Sequence, residues 1–330
     1  MRRIPTGVTL PAVYDDLAAQ LFDFHESMLH DRVRTESFLR AMVQEVRPGD
    51  VVLDIGAGTG VLSLFATLAG ASRVHAVEQG PMADVAREIA KRNGMDHRID
   101  IINDWSTGTS LSEPADLLVT ETVGNIGFEE GILSWVLDAR ERLLKPGATI
   151  IPTSISMVAA AVESWHDYKE IAWLKDPLYE LDFTALSDFG IRSMLWVDLS
   201  PVSLVTKPAT LTTVELATTE EKEVGGTVTV AARRDGLIQG IGCWFTAVIA
   251  PGISVSNEPP TKVPSWSQGF LPLPEPLPVS AGDELVITIE SDEACTRWGW
   301  SLGIDSPAEL IWTTPIEPPL PPPRNRPGTT

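Results

Sequence analysis

Residues Val51 to Gly60 read VVLDIGAGTG, an apolar run that ends in three glycines at alternate positions and continues into the helical pattern of Val61 to Leu68. No other stretch limits the fold as much. A buried strand, a tight glycine turn and a helix in direct succession open a parallel βαβ unit. The glycines let the backbone turn sharply and approach a ligand, and the N–H groups at the helix start favour electronegative atoms. The spacing also discriminates between ligands. The dinucleotide fingerprint needs its third glycine or alanine where Val61 stands, which disfavours NAD.

Periodicity extends this unit across the first half of the chain. Apolar residues three and four apart predict a helix over 36–46, and further helices over 61–68 and 81–93. Short β-branched runs predict strands at 51–55, 73–77, 99–102 and 117–120. A long helix is expected from Phe128 to Leu144, stopped by Lys145, Pro146 and Gly147. Beyond Pro152 the pattern changes. Runs at 227–232, 241–249 and 285–290 read as antiparallel strands, and prolines concentrate after Pro251. Residues 165–196, rich in aromatics from Trp165, Tyr168 and Trp173 to Trp196, read as an inserted helical arm. It either packs on its own domain or serves dimerisation. The tail from Pro315 is expected to be extended or disordered.

Composition bounds the function. With 330 residues, about two domains are expected at roughly 100–200 residues each. The 45 acidic side chains outnumber the 25 basic ones, for a net charge of −20 spread over both halves. A surface that neutralises phosphates must be basic, so nucleic acid and anionic membrane are excluded as primary partners. Only Cys243 and Cys295 are present, too few and too far apart for a disulfide framework or a zinc cluster, so no metal is expected. The N-terminus lacks the apolar core of a secretory signal, and no run approaches the roughly 20 apolar residues of a membrane span. The expected location is cytoplasmic.

Carboxylates mark the ends of the strands. Asp54 precedes the first glycine, and Glu78 closes the second strand, where it can grip a ribose diol by two hydrogen bonds. With Gly56, Gly58 and Gly60, this pattern resembles the class I S-adenosylmethionine-dependent methyltransferases. That resemblance implies an adenine site at Asp104, Trp105 and Ser106, although Asp104 and Trp105 are equally readable as turn residues. After the fourth strand, Glu121 and Glu130 stand nine residues apart. A loop containing Gly124 and Gly127 can bring them together. Two facing carboxylates force a proton onto one of them unless a cation lies between, and a planar guanidinium with five donors fits that need. Glu129, by contrast, reads as a solvated helix residue.

At these residues the chain resembles the protein arginine methyltransferases over roughly residues 15–310. FHESMLHDRVRT (Phe24 to Thr35) is similar to the family's helix ahead of the domain. LDIGAGTGVLSLFA is similar to its cofactor motif and Glu121 with Glu130 to its double-glutamate loop. RERLLKPGATIIPT and PLPEPLPVSAGDEL resemble stretches leading into and late in its β-barrel. The fold implied is a Rossmann-like α/β domain followed by an antiparallel β-barrel-like domain with a helical dimerisation arm. The corresponding segments are a helical cover over 1–35, an S-adenosylmethionine-binding domain over 36–152, a barrel domain over 153–314 and a tail over 315–330.

The resemblance also implies roles. Arg34 pairs with the cofactor's carboxylate, Met28 faces the reacting nitrogen, and Glu121 and Glu130 hold the substrate guanidinium. His25 and Asp31 match positions of the same helix and are equally readable as packing or capping residues. Ser265 and Trp266 fall on the family's barrel motif beside the substrate. The implied partner is arginine, free or in a protein, and the implied assembly a homodimer through the arm.

Three departures stand out. Tyr14 is out of register with the family's paired tyrosines, and Ala19 sits where an aromatic is expected. Thr122-Val123 replace Trp-Met after the first glutamate. Pro264-Ser265-Trp266 replace Thr-His-Trp, so the histidine is absent. They leave open the acceptor and the number of methyl groups. Methyl transfer to oxygen, carbon or a non-guanidine nitrogen, and a non-catalytic homologue, are the competing readings.

Overall fold

The computed structural model describes residues 13–172, 177, 179–261, 263 and 265–314. Trp173, Pro264, the side chain of Tyr14 and the tail from 315 lie outside the described residues.

Helix α1 (Val13–His30) and helix α2 (Arg32–Glu45) meet at Asp31, whose carboxylate accepts the Arg34 N–H at 3.0 Å and so caps α2. Then follow β1 (Val51–Ile55), α3 (Val61–Ala69), β2 (Arg73–Val77), α4 (Met82–Arg92), β3 (Ile99–Ile102) and β4 (Ala115–Thr120). Helix α5 (Ile132–Arg142) leads into β5 (Leu144–Ile151). The five strands form one parallel sheet in the order β3-β2-β1-β4-β5. All five residues of β1 are buried, as a central parallel strand covered on both faces requires.

The expected helix over 128–144 is corrected at both ends. Residues Phe128 to Gly131 form a turn, and the helix begins at Ile132 after Gly131 adopts a left-handed φ of 81°. At the other end, Lys145, Pro146 and Gly147 lie within β5 rather than beyond a helix. Strand β5 is an edge strand, where a proline's missing N–H costs no ladder bond.

The second half is antiparallel. Strand β6 (Ser154–Val162) leads to α6 (Trp165–Ala172), α7 (Thr184–Ile191) and β7 (Leu195–Val197). The chain continues through β8 (Ala209–Glu215), β9 (Gly225–Ala231), β10 (Gly236–Ala250), β11 (Ile253–Ser256), β12 (Gln268–Val279), β13 (Glu284–Ser291), β14 (Trp298–Ile304) and β15 (Ile311–Trp312). One sheet runs β7-β12-β10-β6-β8 with β11 on β10, and a second runs β15-β14-β13-β9. The expected strands at 227–232, 241–249 and 285–290 correspond to β9, β10 and β13.

The arm's inner face belongs to its own domain. Tyr168, Ile171 and Ile191 are buried with Phe270, and the Tyr168 hydroxyl donates to the Pro274 carbonyl at 3.1 Å. Its outer face is apolar and open, with Trp165, Leu181, Leu186 and Phe189 exposed.

One buried group makes stability depend on pH. His75 lies inside β2 with neither ring nitrogen hydrogen-bonded, near Asp100 at 3.4 Å. Burial pushes its pKa below the ordinary 6.5, and Asp100 only partly opposes this. The unfolded chain therefore takes up a proton that the folded chain resists. His75 by itself therefore lowers resistance to urea as pH falls below 6.5, against the raised carboxyl groups of Asp54 and Glu130, which act in the opposite sense. Relative to the wild type, His75→Leu should gain stability as pH falls below 6.5; a difference independent of pH would contradict this.

Candidate active site

The strand order reverses between β1 and β4, and loops leaving that edge frame a cleft, as open α/β sheets require. A cavity of about 350 Å³ lies there. The glycine turn after β1, Glu78 after β2 and Glu121 with Glu130 after β4 form its base. Helix α1 covers it with Phe24, His25, Met28 and Leu29, and Ser265 and Trp266 close it from the second half of the chain. A recess of about 200 Å³ adjoins it, lined by Asp104, Trp105, Ser106 and Trp135. The two share Gly56, Glu78, Gln79, Thr122 and Glu130.

The turn is built for close approach. Gly56, Gly58 and Gly60 have φ of 75°, 54° and 78°, a region where side chains are strained. A Cβ on Gly56 would lie 2.8 Å from Thr122, and one on Gly58 2.9 Å from the His25 ring. The Glu78 carboxylate accepts the Gly58 N–H at 3.0 Å and the Gly80 N–H at 2.6 Å, which fixes it at the cavity wall.

Charge is concentrated in the 121–130 loop. Arg34, on α2, forms an ion pair with Glu121, both nearly buried, and its Nη1 donates to the Met28 carbonyl at 3.3 Å. Burial opposes the charge on Arg34, but Glu121 beside it holds its pKa above the usual value. The guanidinium therefore stays charged and pulls the Glu121 carboxyl down, although burial is the larger effect and leaves that group above the ordinary carboxylate value. Among the described residues Glu130 has no such partner. Although open to the cleft, it lies among protein atoms, and desolvation with repulsion from Glu121 and Glu129 pushes its carboxyl up to about 7. Glu130, with no guanidinium beside it, thus carries a proton near neutrality.

Glu129 departs from expectation. Rather than facing solvent from a helix, its carboxylate folds under the loop and accepts the N–H groups of Ile126 and Phe128, each at 3.2 Å. Gly124 makes room for it, because a Cβ there would fall inside the carboxyl group. The barrel side supports the loop from below. Trp266 donates its indole N–H to the Val123 carbonyl at 2.8 Å and stacks under Arg34. Asn257, fully buried, donates to the Asn125 carbonyl at 2.8 Å.

Other expected residues are placed differently. Asp54 does not line the cleft. It is buried behind the turn, accepts the Ser63 hydroxyl at 2.6 Å, and desolvation raises its pKa to about 7. Gly60 caps α3 rather than lining the cavity. The Ser265 hydroxyl is committed to Asp31 at 2.6 Å, so it ties the second half of the chain to the α1–α2 junction. The Asp104 carboxylate accepts the Trp105 N–H at 2.8 Å and still lines the recess. Sequence reasoning passed over Phe24, Asn125 and Trp135. Trp135 carried a legible signal, a tryptophan five residues after a site glutamate, hidden by the overlong helix.

A family model for the arginine methyltransferase oligomerization subdomain matches residues 153–298, and one for the ribosomal protein L11 methyltransferase matches 32–173. The chain is 32% identical over 289 residues to an arginine N(omega)-methyltransferase of Streptomyces achromogenes subsp. streptozoticus, covering 84% of this chain and 76% of that one. It is 30% identical to protein arginine N-methyltransferase 1 of Dictyostelium discoideum, over 82% and 81% of the two chains. Among solved structures, the PRMT1 enzyme–prozyme heterotetrameric complex of Trypanosoma brucei with AdoHcy superposes with a TM-score of 0.81 at 26% identity, over 89% of this chain and 98% of that one. Arabidopsis thaliana protein arginine methyltransferase 10 gives 0.72 at 25% identity, over 88% and 96%.

The Glu129 seat is testable by itself. Gly124→Ala must displace the buried carboxyl group and is expected to destabilise the protein by about 1–3 kcal/mol, as overpacking does. Thermal unfolding checks this, and an unchanged midpoint would show that the seat is not tight.

Proposed function

This chain belongs to the protein arginine methyltransferase family, and we propose that Glu121 and Glu130 hold the acceptor guanidinium beside an S-adenosylmethionine held by the glycine turn, Glu78 and Arg34. The enzyme is an S-adenosylmethionine-dependent arginine N-methyltransferase. The observation that carries the site assignment is the meeting of Glu121 and Glu130 in one cleft, one of them already partnered by an internal guanidinium.

The residues fit the cofactor. Gly56 and Gly58 let the turn line the cavity hard against Thr122 and His25, and Glu78 stands where a ribose diol can be gripped. The recess with Asp104, Trp105 and Ser106 can take the adenine, and Arg34 can take the carboxylate. When bound, S-adenosylmethionine supplies an electrophilic methyl group on a sulfonium. The chain's own task is to present a poor nucleophile. Glu121 and Glu130, accepting hydrogen bonds from the other N–H groups, keep positive charge away from the attacking nitrogen and fix its direction. Orientation of this kind supplies up to about 7–11 kcal/mol of barrier lowering. Met28 and the covering helix restrict the nitrogen's position and exclude water.

A polypeptide arginine is the acceptor the charge inventory favours. Among the described lining residues, only Arg34 and His25 carry or can acquire positive charge, and both lie beside the glycine turn and Glu121. Neither is left for a substrate α-carboxylate. A second reading, free arginine, is favoured by the Streptomyces relative, whose name specifies arginine and not protein. The division into a helical cover to residue 35, a cofactor domain over 36–152 and a barrel domain over 153–314 belongs to the same proposal. The sheets support its second boundary, since the parallel one ends at Ile151 and the antiparallel ones begin at Ser154, whereas its first boundary falls inside α2. Among the described residues no helix is long and apolar enough to cross a membrane. The two cysteines are free and buried, and a cytoplasmic location is proposed on that basis.

Labelled S-adenosylmethionine should transfer its methyl group to an Arg-Gly-rich peptide more readily than to free arginine. The reverse order selects the second reading, and labelling of neither removes the guanidine assignment. Because Glu130 titrates near pH 7 with its charged form required for the grip, the acceptor's KM should rise about tenfold per pH unit below 7 and level off above it. Glu130→Gln should fold yet lose at least about 100-fold in kcat/KM, in the range of a lost charged transition-state contact. Near-normal activity would instead favour a non-guanidine acceptor.

The outer face of the arm is proposed to form a homodimer. Exposed apolar patches of this kind mark interfaces, and Leu186 and Phe189 are 53% and 43% exposed. Sedimentation should show a dimer for the wild type and a monomer for Leu186→Glu/Phe189→Glu; a monomeric wild type would contradict this.

A further inference from the structure

Trp135 lines the recess and reaches the loop residue that lines both parts of the cleft. It sits in the first turn of α5, and its indole N–H reaches back over Gly131 to donate to the Glu130 carbonyl at 3.1 Å. The same ring lines the 200 Å³ recess and rests against Trp105, with centroids 5.9 Å apart and planes inclined by 38°. Glu130 itself lines both the recess and the main cavity. The Glu130–Gly131 peptide is held from inside the turn by the Gly131 N–H, which donates to the Phe128 carbonyl at 3.0 Å, and from outside by the Trp135 indole; the helix that follows has no side-chain cap.

From this we infer that Trp135 is a positioning residue that couples the purine recess to the guanidinium grip: a planar base in the recess fixes the Trp105–Trp135 pair, and the indole N–H thereby fixes the main chain of Glu130. The ring has two jobs. It lines the recess and rests against Trp105, and its nitrogen holds the turn that aims the carboxylate. Stacking on the face restricts the ring's tilt, and a restricted tilt keeps the N–H aligned with the carbonyl, since hydrogen bonds weaken steeply off axis. The purine of the cofactor therefore strengthens guanidinium binding from the far end of the site, without touching the substrate. By linkage the guanidinium strengthens purine binding by the same factor.

The inference rests on the guanidinium reading, and the experiment separates the two. The probes are AdoHcy and the acceptor that the wild type methylates, Arg-Gly peptide or free arginine. In the wild type, AdoHcy should tighten acceptor binding several-fold in calorimetric titrations. Trp135→Phe keeps the aromatic face and deletes the N–H. It should bind AdoHcy within about threefold of the wild type but raise the acceptor's KM about five- to tenfold, as loss of one hydrogen bond predicts. The tightening by AdoHcy should fall to within twofold of none. Trp105 lines the same recess, so Trp105→Leu, titrated at AdoHcy concentrations that saturate the variant, tests the coupling in case Trp135→Phe misfolds. It too should abolish the tightening. Coupling of wild-type size in either folded variant, or none in the wild type, overturns the inference while leaving the guanidine assignment intact. A wild type that methylates neither acceptor overturns both.

Discussion

The ion pair between Arg34 and Glu121 joins the helical cover to the end of the central parallel sheet, and the site depends on it. Three carboxyl groups, Glu121, Glu129 and Glu130, lie within ten residues of one loop, a concentration of charge that a protein interior resists. Each is handled differently. Arg34 neutralises Glu121, backbone N–H groups of the loop satisfy Glu129, and Glu130 takes the proton. Removing Arg34 would leave Glu121 a buried uncompensated charge, a change that typically costs 3–5 kcal/mol. The pair thus anchors α2 over the cleft and sets which glutamate remains responsive to a ligand.

Support for this loop comes mostly from the other half of the chain. Trp266 holds Val123, Asn257 holds Asn125, and the Ser267 N–H donates to the Asn125 side chain at 2.8 Å. Gly127, at φ 101°, lets the loop pack on Ile155 and Phe245. Asp31 closes the circuit by capping α2 with one oxygen and accepting from Ser265 with the other. The antiparallel sheets therefore act as a rigid floor for a site whose chemistry sits on the parallel sheet. Where the family has a histidine, this chain has a serine that binds Asp31 and carries no titratable ring.

Much of this was legible in the sequence because it depended on short-range spacing. Three alternate glycines fixed the turn, Glu78 followed from the end of the next strand, and the nine-residue interval brought Glu121 and Glu130 together. What could not be read depended on where side chains turn after the backbone is set. Asp54 and Gly60 share the motif but face away from the cleft, because alternate strand residues point to opposite sides and Gly60 is spent on capping α3. Glu129 was misread because it belongs to a turn that mimics a helix start. Lys145-Pro146-Gly147 signalled a helix stop and instead marked an edge strand. The roles of Trp135 and Asn257 arise from tertiary contacts that no local pattern carries.

The central claim is that a guanidinium completes a carboxylate pair in which Glu130 carries the proton near neutrality. Calorimetric titration of the acceptor in buffers of different ionisation enthalpy measures it directly. With AdoHcy present at pH 6.5, binding should release a substantial fraction of one proton, shrinking toward zero above pH 8 and in Glu130→Gln. Binding with no proton release at any pH would contradict the account.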